Sequence, residues 1–214
     1  MAVKKIVILI SGRGSNMEAI IAACDAGGWP AQVACVISSR PEAAGLQLAT
    51  AAGIATAVVD PKSFESSERF EAVLAAIVDG HAPDCVVLAG FMRVLSESFV
   101  HRYADRMLNI HPSLLPAFPG LDTHARALAA GVRAHGATVH FVSSIVDGGA
   151  IVAQAVVPIR ADDTAGSLAA RVLAAEHRLL PQAIAWFLSG RAVLEGGRVA
   201  LDASIVPDTL MVCA

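Results

Sequence analysis

Two polar residues close an apolar stretch at Leu108-Asn109-Ile110-His111, and their types suit the stabilisation of developing negative charge. Because side chains alternate along a strand, we expect Asn109 and His111 on one face and their two apolar neighbours in the core. An amide donor beside an imidazole fits an oxyanion hole with a proton-handling or hydrogen-bonding partner. The alternative is a strand end whose polar groups are satisfied by solvent and by loop hydrogen bonds.

A carboxylate follows further along the chain, in Asp147-Gly148-Gly149. An Asp-Gly-Gly sequence is by itself typical of a plain turn. The functional interpretation is that a flexible loop brings Asp147 to His111, where it orients the ring and stabilises its charged form. Histidine is the side chain whose charge such a partner tunes most readily near neutral pH.

A glycine-rich segment, Ser11-Gly12-Arg13-Gly14-Ser15-Asn16, lies between a predicted strand and a predicted helix. Glycines allow a sharp turn that exposes N–H groups, and a helix N-terminus favours an anion, so the segment indicates a phosphate site. A plain tight turn is the alternative. A dinucleotide site is disfavoured, because its third glycine would fall at Met17 and no acidic residue follows the strand ending near Ser38; Ser39-Arg40 still resembles a 2′-phosphate site.

Alternating strands and helices position these residues in the first half of the chain. The apolar runs predict strands at Val3–Ile10, Gln32–Ser38, Thr56–Val59, Cys85–Ala89 and Met107–His111. Helical composition and spacing predict helices at Asn16–Ala26, Pro41–Ala52 and Glu68–Asp79, and a further helix N-capped by Ser96. This alternation favours right-handed crossovers in a mostly parallel sheet that helices cover on both faces.

The pattern changes after Pro112. The segment 113–121 contains Pro116, Pro119 and Gly120, which predicts a stiff irregular loop. Two strands joined by a turn are predicted at Thr138–Val142 and Ala150–Val157. A long helix is predicted at Leu168–Leu188 with an interruption near Pro181, and a hairpin at Ala192–Leu194 and Val199–Leu201.

Composition limits the classes of protein. The chain has 214 residues, of which 55% are hydrophobic and 16% are charged, and its net charge is −3. These values favour one compact domain of an enzyme and give no field that would draw the protein onto nucleic acid. No apolar run approaches the roughly 20 residues that span a bilayer. The apolar run at the N-terminus is short and lacks a signal-peptide cleavage site. The four cysteines are scattered, and no set of histidines has the spacing of metal ligands. We therefore expect a cytoplasmic protein without a metal.

Four motifs in order make a resemblance specific: the glycine loop 11–16, Leu88-Ala-Gly-Phe-Met-Arg-Val-Leu95, Asn109-Ile-His-Pro-Ser-Leu-Leu-Pro116 with Phe118-Pro-Gly-Leu-Asp-Thr-His124, and Asp147-Gly-Gly. Over essentially its whole length the chain resembles the phosphoribosylglycinamide formyltransferases, which use 10-formyltetrahydrofolate in purine synthesis. The resemblance implies an α/β, Rossmann-like formyltransferase fold with antiparallel C-terminal additions. It also implies a single domain over 1–214, with a phosphate-binding half (1–105) and a catalytic, folate-binding half (106–214).

Residue roles follow from the same resemblance. It assigns Asn109, His111 and Asp147 to catalysis through a tetrahedral intermediate. It assigns the phosphoribosylglycinamide substrate to Gly12, Arg13, Gly14, Ser15, Asn16, Met17 and Glu176, although Glu176 alone would be predicted on a solvated helix face. It assigns 10-formyltetrahydrofolate, the co-substrate, to Met92, Arg93, Val94, Leu95, Asn109, Ser143, Ser144, Ile145, Val146 and Asp147.

Two positions depart from the family pattern. Ser67 stands where some members have a basic folate contact, which Arg69 is close enough to replace, and Ala150 stands where members often have proline.

Two other functions remain open. One is a related formyl-folate enzyme that uses another acceptor or water, although such enzymes carry a further domain for which this chain has no room. The other is a nucleotide-binding module without catalysis. The sequence does not decide the oligomeric state, and a homodimer is compatible with it.

Overall fold

A computed structural model describes residues 2–27, 31–205 and 210–213 of the chain. The described residues form two compact units, Met1–Leu108 and Asn109–Ala214. The fold class is α/β, a mostly parallel sheet with helices on both faces and antiparallel C-terminal strands, which confirms the predicted class.

The first unit alternates strands with helices. Its elements are β1 (Lys4–Ile10), α1 (Ser15–Asp25), β2 (Ala31–Ser38), α2 (Ala44–Ala51), β3 (Thr56–Val58), a short 3₁₀ helix (Pro61–Ser63), α3 (Ser67–Gly80), β4 (Cys85–Leu88) and α4 (Glu97–Arg102). The strands are parallel in the order β4-β1-β2-β3. The central strand β1 is buried throughout Ile6–Ile10, as expected for a parallel strand covered on both faces.

The strand β5 (Met107–His111) ends the first unit and begins the second, and its bounds are those predicted. The second unit continues with α5 (Thr123–Ala129), β6 (Ala134–Phe141), β7 (Ile151–Pro158), α6 (Ala165–Leu188), β8 (Ala192–Glu195), β9 (Arg198–Leu201) and β10 (Leu210–Val212). β6 and β7 pair antiparallel, as do β8 and β9, which confirms both predicted strand pairs.

Two features of the second unit differ from the sequence predictions. The helix α6 runs without interruption through Pro181, so the predicted break is wrong. Proline inside a helix costs about 3 kcal/mol, but Leu179, Leu180 and Ile184 around it are fully buried, and burial of large aliphatic side chains offsets a cost of that size. The helix α5 was not predicted, because it is short and follows the proline-rich loop directly.

The cysteines and the helices bear on two other expectations. Cys35 and Cys85 are buried in the core, Cys24 and Cys213 are half-buried, and all four are free thiols. Burial raises the pKa of the Cys24 thiol to about 11, where it is protonated at neutral pH. None of the helices in the described part of the chain is long and apolar enough to cross a membrane.

Candidate active site

The polar face of β5 carries Asn109 and His111, and its other face carries Leu108 and Ile110 in the core. The alternation of side chains along the strand is therefore as predicted. His111 is only 6% exposed, so solvent contributes little to its hydrogen bonding, whereas the loop hydrogen bond that the alternative interpretation expects is present at the imidazole. Its hydrogen-bonding partners must come from the protein.

Both ring nitrogens of His111 face oxygen atoms that can only accept. Nε2 donates to the backbone carbonyl of Phe118 at 3.0 Å, and Nδ1 lies 3.3 Å from Oδ2 of Asp147. An imidazole that carries a proton on each nitrogen satisfies both oxygens. The structure therefore brings the carboxylate and the imidazole together in an arrangement that suits a positively charged ring.

Asp147 is held in place by the proline-rich loop and by close packing of the glycines that follow it. Oδ2 of Asp147 accepts the backbone N–H of Gly120 at 2.8 Å, and its backbone has a left-handed φ of 53°. A Cβ on Gly149 would lie 1.7 Å from the carbonyl oxygen of Phe141, so only glycine permits this approach to the end of β6. Gly148 is similarly restricted by the side chain of Ile145. The two glycines after Asp147 are thus required by close packing, in addition to forming a turn.

His140, on β6, fixes the amide of Asn109. Nδ1 of His140 donates to the carbonyl of Phe141 at 2.8 Å, which leaves Nε2 to accept from Nδ2 of Asn109 at 3.1 Å. Burial lowers the pKa of His140 and favours the neutral ring that this pattern requires. Nε2 also lies 3.8 Å from Oδ1 of Asp147. This direct contact between His140 and Asn109 is not among the sequence predictions.

The proline-rich loop 112–122 supplies two backbone groups that no residue type could indicate. The carbonyl of Phe118 accepts from His111, and the N–H of Gly120 donates to Asp147. Ser113 stabilises the loop from inside, since its hydroxyl donates to the carbonyl of Ala117 at 2.6 Å. The structure confirms that the predicted loop has an irregular backbone. The loop contributes to the site through main-chain atoms.

A second pair of histidines, His124 and His135, contacts this loop through Phe118. The ring of His135 contacts the edge of Phe118, with 5.9 Å between ring centroids, and its Nε2 is 3.2 Å from Nδ1 of His124. Burial, with a smaller contribution from the neighbouring His124 and His111, lowers the pKa of His135 to about 4. Burial also lowers the pKa of His124. Both rings are therefore neutral at pH 7.

The glycine loop of the first unit leads directly into α1. Gly14 adopts a left-handed φ of 82° at the helix N-cap, and the first turn that follows has backbone N–H groups without intrahelical acceptors. Gly45, on α2, packs against this loop so closely that a Cβ would lie 2.6 Å from Ile10 and 3.2 Å from the carbonyl of Gly12. Arg13 is exposed, whereas Asn16 and Met17 are buried. The geometry suits an anion.

Each unit also carries one exposed apolar segment at the positions assigned to folate. In the first unit, Met92 is 63% and Val94 77% exposed, and Arg93 between them is exposed as well. In the second unit, Ile145 and Val146 are exposed just before Asp147. Large apolar side chains exposed together are typical of binding surfaces.

Comparison with known proteins relates this geometry to a family. Residues 4–184 match the formyl transferase family. A phosphoribosylglycinamide formyltransferase of Escherichia coli is 47% identical over 202 residues, which cover 94% of this chain and 95% of the relative. The chain belongs to the formyl transferase family.

Solved structures of this family have the same fold. Glycinamide ribonucleotide transformylase 1 from Symbiobacterium toebii superposes with a TM-score of 0.90 at 46% identity, covering 92% of this chain and 93% of that one. A phosphoribosylglycinamide formyltransferase from Brucella melitensis gives a TM-score of 0.84 at 53% identity, covering 90% and 99%. The resemblance seen in the sequence motifs is confirmed, and the chain is a formyl-transferring enzyme.

Two further positions were compared with the family pattern, Glu176 as a substrate contact and Ser67 as a departure from a basic folate contact. Glu176, on α6, is 6% exposed, so the expectation of a solvated helix face is wrong. Ser67 is the first residue of α3, and the exposed Arg69 in the same turn lies 3.7 Å from Glu65. That Arg69 replaces the basic folate contact of the family stays a prediction.

Among the residues that the structure describes, no group of three or more His, Cys, Asp or Glu side chains is arranged to hold a metal ion.

Proposed function

We propose that this formyl transferase moves the formyl group of 10-formyltetrahydrofolate to the glycinamide amine of 5′-phosphoribosylglycinamide, in the synthesis of purine nucleotides. The relatives of that name support the substrates, since they align over almost the whole chain. The observation that carries the mechanism is the group formed by Asn109, His111, His140 and Asp147, in which an amide donor and an imidazole 3.3 Å from a carboxylate lie on one strand face.

The first chemical step is attack of the neutral amine on the formyl carbon. A C–N bond forms and the formyl oxygen becomes an oxyanion. Asn109 uses one amide N–H on His140 and keeps the second, which makes no hydrogen bond with any described residue, for this oxyanion. Removal of one such donor typically costs about 3–4 kcal/mol of transition-state stabilisation.

His111 stabilises the same oxyanion mainly through its charge. Its two N–H groups face the carbonyl of Phe118 and the carboxylate of Asp147 in this structure, so direct donation requires one of these contacts to open. Asp147 keeps the ring charged and accepts the proton that the attacking amine loses, directly or through water. That proton passes to the folate nitrogen as its bond to the formyl carbon breaks, which completes the transfer.

The remaining assignments of the sequence are parts of the same proposal. The loop 12–17 holds the phosphate of the ribonucleotide, and Glu176 holds its glycinamide end. Residues 92–95 and 143–147, together with Asn109, contact the folate. Holding both substrates together supplies much of the acceleration. A single domain over 1–214, a cytoplasmic location and a homodimer also stay predictions.

A matched pair of variants tests the mechanism. Asp147→Asn preserves the acceptor oxygen for Gly120 and the left-handed backbone, which asparagine tolerates, but removes the charge that stabilises the imidazolium. We expect kcat to fall by about 10²–10⁴-fold, the usual contribution of a proton-transferring group. The measurement is the rate of tetrahydrofolate release with both substrates saturating.

Asp105→Asn is the control, because Asp105 is exposed and has a similar left-handed φ of 62°. It should retain the rate of the unmodified enzyme. An Asp147→Asn enzyme with a kcat within threefold of the control would contradict the assigned role of the carboxylate.

A further inference from the structure

The buried hydroxyl of Ser11 joins the glycine loop to the apolar segment that contains Met92. Ser11 follows β1 and is only 4% exposed. Its backbone N–H donates to the carbonyl of Gly90 at 3.1 Å, and its Oγ accepts the backbone N–H of Met92 at 2.8 Å. These two hydrogen bonds hold the residues after β4 against the residue that begins the glycine loop.

Ser39, after β2, completes the environment of this hydroxyl. The Oγ atoms of Ser11 and Ser39 lie 2.7 Å apart, and the N–H of Ser39 donates to the carbonyl of Ile10 at 3.1 Å. Because Oγ of Ser11 accepts from Met92, its own proton is available to Ser39. Both side chains are buried, so water cannot readily replace either partner, and removal of the Ser11 hydroxyl leaves the N–H of Met92 without its acceptor.

The apolar segment depends on contacts at its two ends. At its beginning, Ser11 binds Gly90 and Met92; at its far end, the buried carboxylate of Glu71 accepts the N–H of Ser96 at 2.7 Å. Between these ends Met92 and Val94 are largely exposed, so packing does little to set their position. The hydrogen bonds at the ends therefore fix the segment.

We propose that Ser11 is a positioning residue that couples the two substrate half-sites, so that a ligand on the glycine loop raises the affinity of the Met92–Leu95 segment for folate. This rests on the proposed function, in which the loop holds the ribonucleotide phosphate and the segment contacts folate. Phosphate on the loop stabilises the conformation in which Ser11 accepts the N–H of Met92, and this conformation holds the segment for the folate. Coupling of this kind is reciprocal, so folate must raise the affinity for the ribonucleotide by the same factor.

The coupling can be measured in a complex that cannot react. Tetrahydrofolate lacks the formyl group, so its Kd can be determined by titration calorimetry without and with saturating phosphoribosylglycinamide. For the unmodified enzyme we expect the ribonucleotide to lower this Kd by about fivefold or more, as in typical coupled sites. In Ser11→Ala the ratio of the two Kd values should fall to within twofold of one.

Ser39→Ala is the matched control. It also removes one buried serine hydroxyl from this cluster, but it leaves the bond between Met92 and Ser11, so the ratio should stay within twofold of that of the unmodified enzyme. Ser11→Cys is the second variant if Ser11→Ala does not fold, because the thiol fills the same space and is a weak acceptor. It should also lower the ratio.

The outcomes separate this inference from the proposed function. If the unmodified enzyme shows no acceptor-dependent formyl transfer, the proposed function fails. If it catalyses transfer but its Kd ratio is one, or if a folded Ser11 variant keeps the full ratio, the coupling role of Ser11 is overturned while the function stands.

Discussion

At the scale of single residues, the site depends on the proton pattern of His140. Its Nδ1–H is committed to the carbonyl of Phe141, so Nε2 carries a lone pair and selects the N–H side of the Asn109 amide. An amide can otherwise turn over and present its oxygen, which would repel an oxyanion. The neutral ring of His140 thereby determines that Asn109 acts as a donor.

Replacing His140 should therefore affect the chemical step. We expect His140→Ala to lower kcat roughly tenfold, which corresponds to the loss of one hydrogen bond, with little change in either KM. His140→Gln keeps an acceptor oxygen and should recover part of the loss. Steady-state kinetics with each substrate varied in turn gives the required kcat and KM values.

The control for this variant is His101→Ala, since His101 is an exposed residue on α4. It should leave kcat unchanged. The positioning role of His140 is excluded if His140→Ala and His101→Ala have the same kcat, or if His140→Ala changes KM alone.

Residue types revealed part of this site before the structure was known. Asn109, His111 and Asp147 could be found because an amide, an imidazole and a carboxylate have recognisable chemistry. The carbonyl of Phe118 and the N–H of Gly120 could not, because every residue has a backbone and only the folded loop selects which groups face the site. His140 has a recognisable side chain, but its partner on β5 is 31 residues away in sequence.

At the scale of elements, hydrophobic patterns located most strands, because continuous or alternating apolar runs match the two faces of a sheet. β1, β4 and β5 lie within one residue of their predicted bounds. Predictions were less accurate where tertiary packing overrides local preference. Pro181 should end a helix by local rules, yet the buried side chains around it keep α6 continuous.

The contact between α5 and β6 makes stability depend on pH. His135 on β6 has a pKa lowered to about 4 by burial beside His124 of α5, whereas an unfolded histidine titrates near pH 6.5. Between these values the unfolded chain binds more protons than the folded one. The stabilisation is therefore complete above about pH 6.5 and is lost as the pH falls towards 4.

Urea unfolding between pH 4.5 and 7.5 tests this dependence. The free energy of unfolding should fall with decreasing pH, and one histidine contributes at most about 1.4 kcal/mol per pH unit. His135→Gln should give a shallower slope. An equal slope in both proteins would show that His135 is not responsible. Carboxyl groups with lowered pKa, such as Asp84, act mainly below this window, because an unfolded carboxyl titrates near pH 4.

At the scale of the whole molecule, the chain combines a small net charge of −3 with a mostly parallel sheet, and the glycine loop is proposed to bind an anion locally. Such a protein has no general attraction for polyanions, and specificity must come from individual groups such as the glycine loop. The family match and the solved relatives lead to the same formyl transferase fold that the sequence motifs indicate.

The most direct test of the central claim is the dependence of tetrahydrofolate release on the acceptor. Purified enzyme is incubated with 10-formyltetrahydrofolate, with and without phosphoribosylglycinamide, and both tetrahydrofolate and the formylated ribonucleotide are quantified. We expect one formylated ribonucleotide for each tetrahydrofolate released, and almost no release without the acceptor. Equal release in its absence, accompanied by formate, would mean that water is the acceptor and would contradict the proposed transfer.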